Sequence, residues 1–146
     1  MRMRTITPLI AALVMSGCAL ASANGSFVAD LPEKDAVPIS TRIAELAAQR
    51  LPRGAKILVV PAASDNAATK DVAARLDEAL RARGLAIAGE RDAGDSHALR
   101  YEVTQYGGAW LVRVHLDDAE ATTMMTRKRD GVLIATSPLT VREATR

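Results

Sequence analysis

Residues 99–116 read Leu-Arg-Tyr-Glu-Val-Thr-Gln-Tyr-Gly-Gly-Ala-Trp-Leu-Val-Arg-Val-His-Leu. Leu99, Tyr101 and Val103 alternate with Arg100, Glu102 and Thr104. After Gly107-Gly108, Trp110, Val112, Val114 and Leu116 alternate with Leu111, Arg113 and His115. A period of two sustained on both sides of a glycine pair predicts two antiparallel strands, each with one apolar face, joined by a tight hairpin. A helix would scatter these apolar residues around its circumference. The middle of the chain is therefore sheet.

Downstream, the meander continues. Asp117-Asp118 predicts a turn into a strand over Thr122–Thr126, and Asp130-Gly131 predicts another into Val132–Ala135. Leu139–Arg142, after Pro138, is expected to add a last edge strand. Upstream, the period changes to that of a helix. Ser40 is placed to cap a helix with Ile43, Leu46, Ala47 and Leu51 on one face, stopped by Pro52-Arg53-Gly54. Ile57–Val60 is a continuous apolar run, the pattern of a strand covered on both faces. Ser64, Asp65 and Asn66 offer caps for a second helix, with Val72, Leu76, Ala79 and Leu80 facing inward and Gly84 at its end. Leu85–Ala88 predicts a short strand, and Gly89–Ser96 a polar loop. The expected fold class is α+β. Its order is α-β-α-β followed by a meander, with two helices packed on one side of a mostly antiparallel sheet.

The N-terminus reads as an export signal. Arg2 and Arg4 precede a mostly apolar stretch from Ile6 to Met15, too short to span a bilayer, which takes about 20 apolar residues. It ends in Met15-Ser16-Gly17-Cys18, which resembles the lipobox of bacterial lipoproteins, with Met15 where Leu is usual. That resemblance implies cleavage before Cys18, diacylglycerol on its thiol and a further acyl chain, such as palmitate, on its amino group. An ordinary secretory signal, cut near Ala19-Leu20-Ala21 or Ala21-Ser22-Ala23, is the competing reading. Cys18 is the only cysteine, so no intramolecular disulfide can form, and acylation would remove an otherwise exposed thiol. Ala19, rather than Asp, follows it. By resemblance to enterobacterial sorting, that implies the outer membrane. The expected organisation is a signal peptide over 1–17, an acylated N-terminus and flexible tether over 18–38, and a small periplasmic domain over 39–143. The tether is inferred from Ala-Ser-Ala-Asn-Gly-Ser, the Glu33-Lys34-Asp35 patch and prolines 32 and 38. The domain is long enough for one core only.

Charge argues against a nucleic-acid partner. The chain has 19 Lys+Arg against 17 Asp+Glu, and loss of Arg2 and Arg4 with the signal leaves 17 of each. Backbone binding to DNA needs clustered positive charge. The one tight basic cluster, Arg127-Lys128-Arg129, runs into Asp130-Gly131 and reads as a solvated turn.

Chemistry is sparse. Two histidines and one acylated cysteine make no metal set; His115 and Asp117 could share a strand face, but two ligands do not suffice. His97 stands at a loop-to-strand junction. No Gly-x-Ser-x-Gly elbow and no phosphate-cradling glycine loop occur. The carboxylate pairs Asp77-Glu78 and Asp117-Asp118 belong to a helix surface and a turn. Trp110, one of four aromatics, is expected in the core rather than as a ligand platform. No catalytic residue, cofactor, metal or small-molecule substrate is expected, and the only site residue is Cys18.

Three segments resemble the TrbH family of conjugal transfer lipoproteins, which accompany type IV secretion systems. These are Ile43-Ala44-Glu45-Leu46 through Lys56–Val60, Ala79–Ile87, and Trp110–Leu116 with the Asp130-Gly131 turn and the Ser137-Pro138-Leu139-Thr140 ending. The resemblance implies a lipoprotein on the periplasmic face of the outer membrane, acting by contact with other secretion-channel proteins; it carries over no catalytic residue. Exposed strand edges would offer the means, by β-augmentation. A regulator of a cell-envelope enzyme or transporter is the alternative. A periplasmic hydrolase, using His115 or Asp117, stands third.

Overall fold

In the computed structural model, residues 25–137 and 140–143 are described. The lipidation site expected at Cys18 lies outside them, as do Pro138 and Leu139. The described elements run β1 (Phe27–Val28), α1 (Glu33–Ala48), β2 (Lys56–Val59), α2 (Ala67–Ala82), β3 (Ala86–Ile87), a 3-10 turn (Glu90–Asp95), β4 (His97–Tyr106), β5 (Ala109–Leu116), β6 (Ala119–Arg127), β7 (Leu133–Ala135) and β8 (Thr140–Glu143).

The meander forms as its alternation requires. Gly107 and Gly108 both have positive φ, at 54° and 80°, so they close the two-residue β4–β5 turn without a Cβ clash. Leu99 then pairs with Leu116 and Val103 with Val112, which keeps the apolar residues of both strands on one face. A second two-residue turn, Asp117-Asp118, sets Leu116 opposite Ala119 and Trp110 opposite Met125. Thus β6 starts at Ala119 and carries Ala121, Thr123 and Met125 inward. Along the outer edge of β6, β7 covers one end and β8 the other.

The sheet is mixed rather than mostly antiparallel. β1 and β2 both lie parallel to β4, and β3 lies parallel to β2, giving eight strands in the order β3-β2-β4-β5-β6-β7, with β1 on β4 and β8 on β6. The reason is connectivity. A strand–helix–strand unit such as β2-α2-β3 returns the chain to its starting end and so places its strands parallel.

Both helices contribute to a single apolar core. α2 is as expected: the Asn66 side chain accepts from Thr69 N at 2.7 Å, Val72, Leu76 and Leu80 are fully buried, and Gly84 ends the helix at φ 77°. α1 starts earlier than its composition suggests. Ser40 does not cap it. It lies buried inside the helix and donates to Val72 O of α2 at 3.1 Å. Residues 26–37, assigned by composition to the tether, include β1 and the first turn of α1. Pro38 sits within the helix, where it forfeits one backbone bond. Burial of Ala36, Ile39 and Ile43 on the same helix offsets that loss. The folded region therefore extends at least from Ser26, which is buried and bonds Val60 O at 2.6 Å and Tyr101 N at 3.2 Å. The apolar run in β2 is not matched by burial on both faces. Ile57 is buried, but Leu58 and Val60 are only half-buried. The strand is not covered on both faces.

One core position carries an unused polar group. Thr123 is fully buried on β6, and its Oγ1 has no hydrogen-bond partner among the described residues. Thr123→Val keeps the branched shape and removes the stranded hydroxyl, so it is expected to raise stability by about 1 kcal/mol. A urea midpoint unchanged or lowered in the variant would show that the hydroxyl is satisfied.

Candidate functional site

A cleft of ≈ 510 Å³ opens where the sheet runs past the first turn of α1. Three elements meet there because of the pairing described above. The β4–β5 hairpin brings Gln105 opposite Trp110, the β6–β7 turn brings Arg127 opposite Leu133, and the segment from β1 into α1 brings Leu31, Pro32 and Asp35 across from them.

At its base lies a polar triad that joins residues far apart in sequence. Asp35 is 1% exposed. Its Oδ2 accepts from Trp110 Nε1 at 3.3 Å and from Arg127 Nη2 in a short ion pair. Arg127 Nη1 also donates to Gly131 O at 2.7 Å, so the same guanidinium holds the β6–β7 turn closed. The bond to Asp35 pushes the Arg127 pKa up, keeping it charged throughout the accessible pH range. A carboxylate in the first turn of a helix is also favoured by the helix dipole. Trp110 is buried, as expected, and belongs to the core while its edge faces this triad.

The solvated turn next to it is as expected of Lys128 and Arg129, neither of which makes an ion pair within the described residues. Asp130 accepts from Val132 N at 3.0 Å and orders the turn.

The histidines separate into two places, with His115 half-buried on β5 and His97 at the start of β4. His115 is not beside Asp117. It lies on the sheet face away from the helices, 3.8 Å from Glu120, and its pKa is lowered by burial and by Arg100, against the raising effect of Glu120. Asp117 instead meets His97, whose Nδ1 is 2.7 Å from Asp117 Oδ2, while Asp117 Oδ1 accepts from Ala98 N. The turn that makes this contact needs Asp117 at φ 52°, a region that aspartate tolerates better than most residues. A carboxylate orienting a histidine is two parts of a hydrolytic triad. The groove beside it is lined by Arg50, Leu51, Leu116, Asp118, Ala119 and Glu143, none of which is the serine, threonine or cysteine that such a triad activates. Among the described residues, no group of three His, Cys, Asp or Glu could hold a metal ion.

Acid and alkali should each reveal one group whose pKa burial shifts. Because the His115 pKa is lowered in the fold, the unfolded chain takes up the proton first. Stability is therefore full above about pH 6.5 and falls as pH drops below it. Burial pushes the Tyr101 hydroxyl up to about 12, so its contribution is present below pH 10 and is lost as pH rises towards 12. Urea midpoints of His115→Gln should lose the acid-side slope, and those of Tyr101→Phe the alkaline one. Slopes identical to the native chain would contradict these assignments.

Sequence reasoning missed Asp35. It lies in the charged patch read as tether, and nothing local links it to residues 75 and 92 positions away. The only signal was its place at the third position of a helix, which shows once the helix is started at Glu33.

The fold is a small α+β domain built on one mixed sheet, with a cleft at one end. The family model for conjugal transfer protein TrbH matches residues 21–144, and the chain belongs to that family, whose members are components of conjugal transfer. No curated protein and no solved structure matches it. Among the described residues, no helix is long and apolar enough to cross a membrane.

Proposed function

We propose that this chain is an outer-membrane lipoprotein of the type IV secretion apparatus, anchored by acyl groups on Cys18 and acting in the periplasm by protein–protein contact rather than catalysis. The observation that carries this reading is the family match across residues 21–144. The Met15-Ser16-Gly17-Cys18 motif supports the anchor. Because the fold already includes Ser26, the link to the membrane is short. Only seven peptide units separate Cys18 from Gly25, at most about 25 Å of chain. The domain would be held against the membrane, in reach of envelope-embedded partners, rather than on a long leash.

Two features support contact as the mode of action. β8 has all four side chains exposed and pairs, among the described residues, through β6 alone. Its other edge is open to β-augmentation. The cleft supplies a second, side-chain-based surface. The test is a pulldown from detergent-solubilised envelopes of mating cells, with the native lipoprotein as bait. Recovery of type IV secretion proteins is expected. Recovery of envelope-synthesis or transporter proteins alone would overturn the reading in favour of an envelope regulator.

A further inference from the structure

The sheet has two faces, and the described helices cover only one. Leu99, Tyr101, Val103, Val112 and Val114 point into the core shared with α1 and α2. Their neighbours along each strand point the other way. Pairing across the strands arranges this outward face in rows. In one, His115 on β5 lies between Arg100 on β4 and Glu120 on β6. In the next, Arg113 lies between Glu102 and Thr122, and in the third Leu111 lies between Thr104 and Met124. Beyond them Ile134 of β7 pairs with Thr126, and Tyr106 ends β4. Tyr106 is 70% exposed, more than any other large hydrophobic among the described residues. The face is therefore charged at one end and apolar at the other. Over β4, β5 and β6 its two arginines and two glutamates cancel.

The uncovered area is close to that of one side of a stable interface. Five strand positions from β2 to β7, at about 4.8 Å each, and the length of the β4–β5 pairing give roughly 24 Å by 27 Å. That is on the order of 650 Å², against about 800 Å² per partner in a standard interface. The pattern is also complementary to itself. A twofold axis laid along β5 exchanges β4 with β6. It sets Arg100 of each copy opposite Glu120 of the other, a cross-copy pairing of opposite charges. Leu111 meets its own counterpart, and Thr104 meets Met124. Arg113, also on the axis, carries its counterions with it, Glu102 at 3.1 Å and Glu120 at 3.3 Å. Such an axis preserves strand direction, so both copies enter β1 from the same end of the pair. Two anchors on Cys18 can then reach one membrane.

We propose that this protein forms a twofold dimer through its outward sheet face, with the two sheets stacked and the helices outside. Stacked sheets pack about 10 Å apart with strands within about 30° of each other. The dimer goes beyond the contact reading above. It leaves the cleft, which opens on the helix side, uncovered.

Cys18 is the only native cysteine, and either acylation or signal cleavage takes its thiol away, so an introduced cysteine is a unique probe. Leu111→Cys and His115→Cys both place a thiol on the axis, whereas Ala74→Cys places one on the exposed side of α2. Two axis positions are used because Leu111 itself belongs to the apolar end. Envelopes from cells expressing each variant are treated with a short bismaleimide, and the purified products are weighed. The two axis variants should give a product of twice the protomer mass, and Ala74→Cys none. Adding Arg100→Glu or Glu120→Arg to the Leu111→Cys chain sets like charges opposite each other twice, so the yield should fall about tenfold or more. Co-expressing these two charge variants should restore it, because two glutamates on one copy then face two arginines on the other. Damage confined to the fold of either chain would persist in the mixture. No product from either axis position, an equal product from Ala74→Cys, or no recovery in the mixture would overturn the dimer. So would a product whose mass shows an unlike protein on this face. None of these readouts depends on conjugation, which the pulldown decides separately.

Discussion

Asp35→Ala is expected to destabilise the domain by about 3 kcal/mol, lowering Tm by roughly 10 °C. The carboxylate is 1% exposed and accepts from two donors on different strands. Its loss strands the buried indole N–H of Trp110 and leaves Arg127 without its counterion. It also removes the negative charge that complements the start of α1. Arg127→Ala should cost less, because the guanidinium is 32% exposed and water can reach the space it vacates. Thermal unfolding of the two variants side by side checks the order. If Arg127→Ala were the more damaging, the triad would be a surface ion pair rather than the tie between α1 and the sheet.

Cys18→Ser should move the protein from the membrane pellet to the periplasmic supernatant. Two or three acyl chains make anchoring effectively permanent, whereas the described domain has no membrane-spanning helix to hold it in their absence. The fold should be unchanged, since the substitution lies outside residues 25–143. Mating should nevertheless fall, on the order of a hundredfold, the scale of an effective-concentration gain when a partner is held nearby. Fractionation followed by mating assay separates the two effects. A protein still in the membrane pellet after the change would mean that another element anchors it.

The core was more legible in the sequence than the site, for a physical reason. Alternation in Leu99–Leu116 reflects a one-sided sheet, and burial of Leu99, Tyr101, Val103, Val112 and Val114 follows from it directly. Asn66 and Gly84 were legible because caps are local chemistry. Three things were not. Pro38 looked like a boundary because propensity disfavours it in a helix, yet Ile39 and Ile43 bury enough area to retain it. The parallel pairing of β1 with β4 joins segments 75 residues apart and leaves no local mark beyond Phe27-Val28. Asp35 has the same difficulty: its role is set by Trp110 and Arg127, which only the completed sheet brings to it.

The most direct test of the central claim is mating frequency in a donor whose copy of this gene is deleted in frame, with the native gene and Cys18→Ser supplied in trans. A transfer component anchored at the membrane requires that deletion lowers transfer sharply, that the native gene restores it, and that the Cys18→Ser form does not. Unchanged transfer after deletion would contradict a role in conjugation, and full rescue by Cys18→Ser would contradict the anchor.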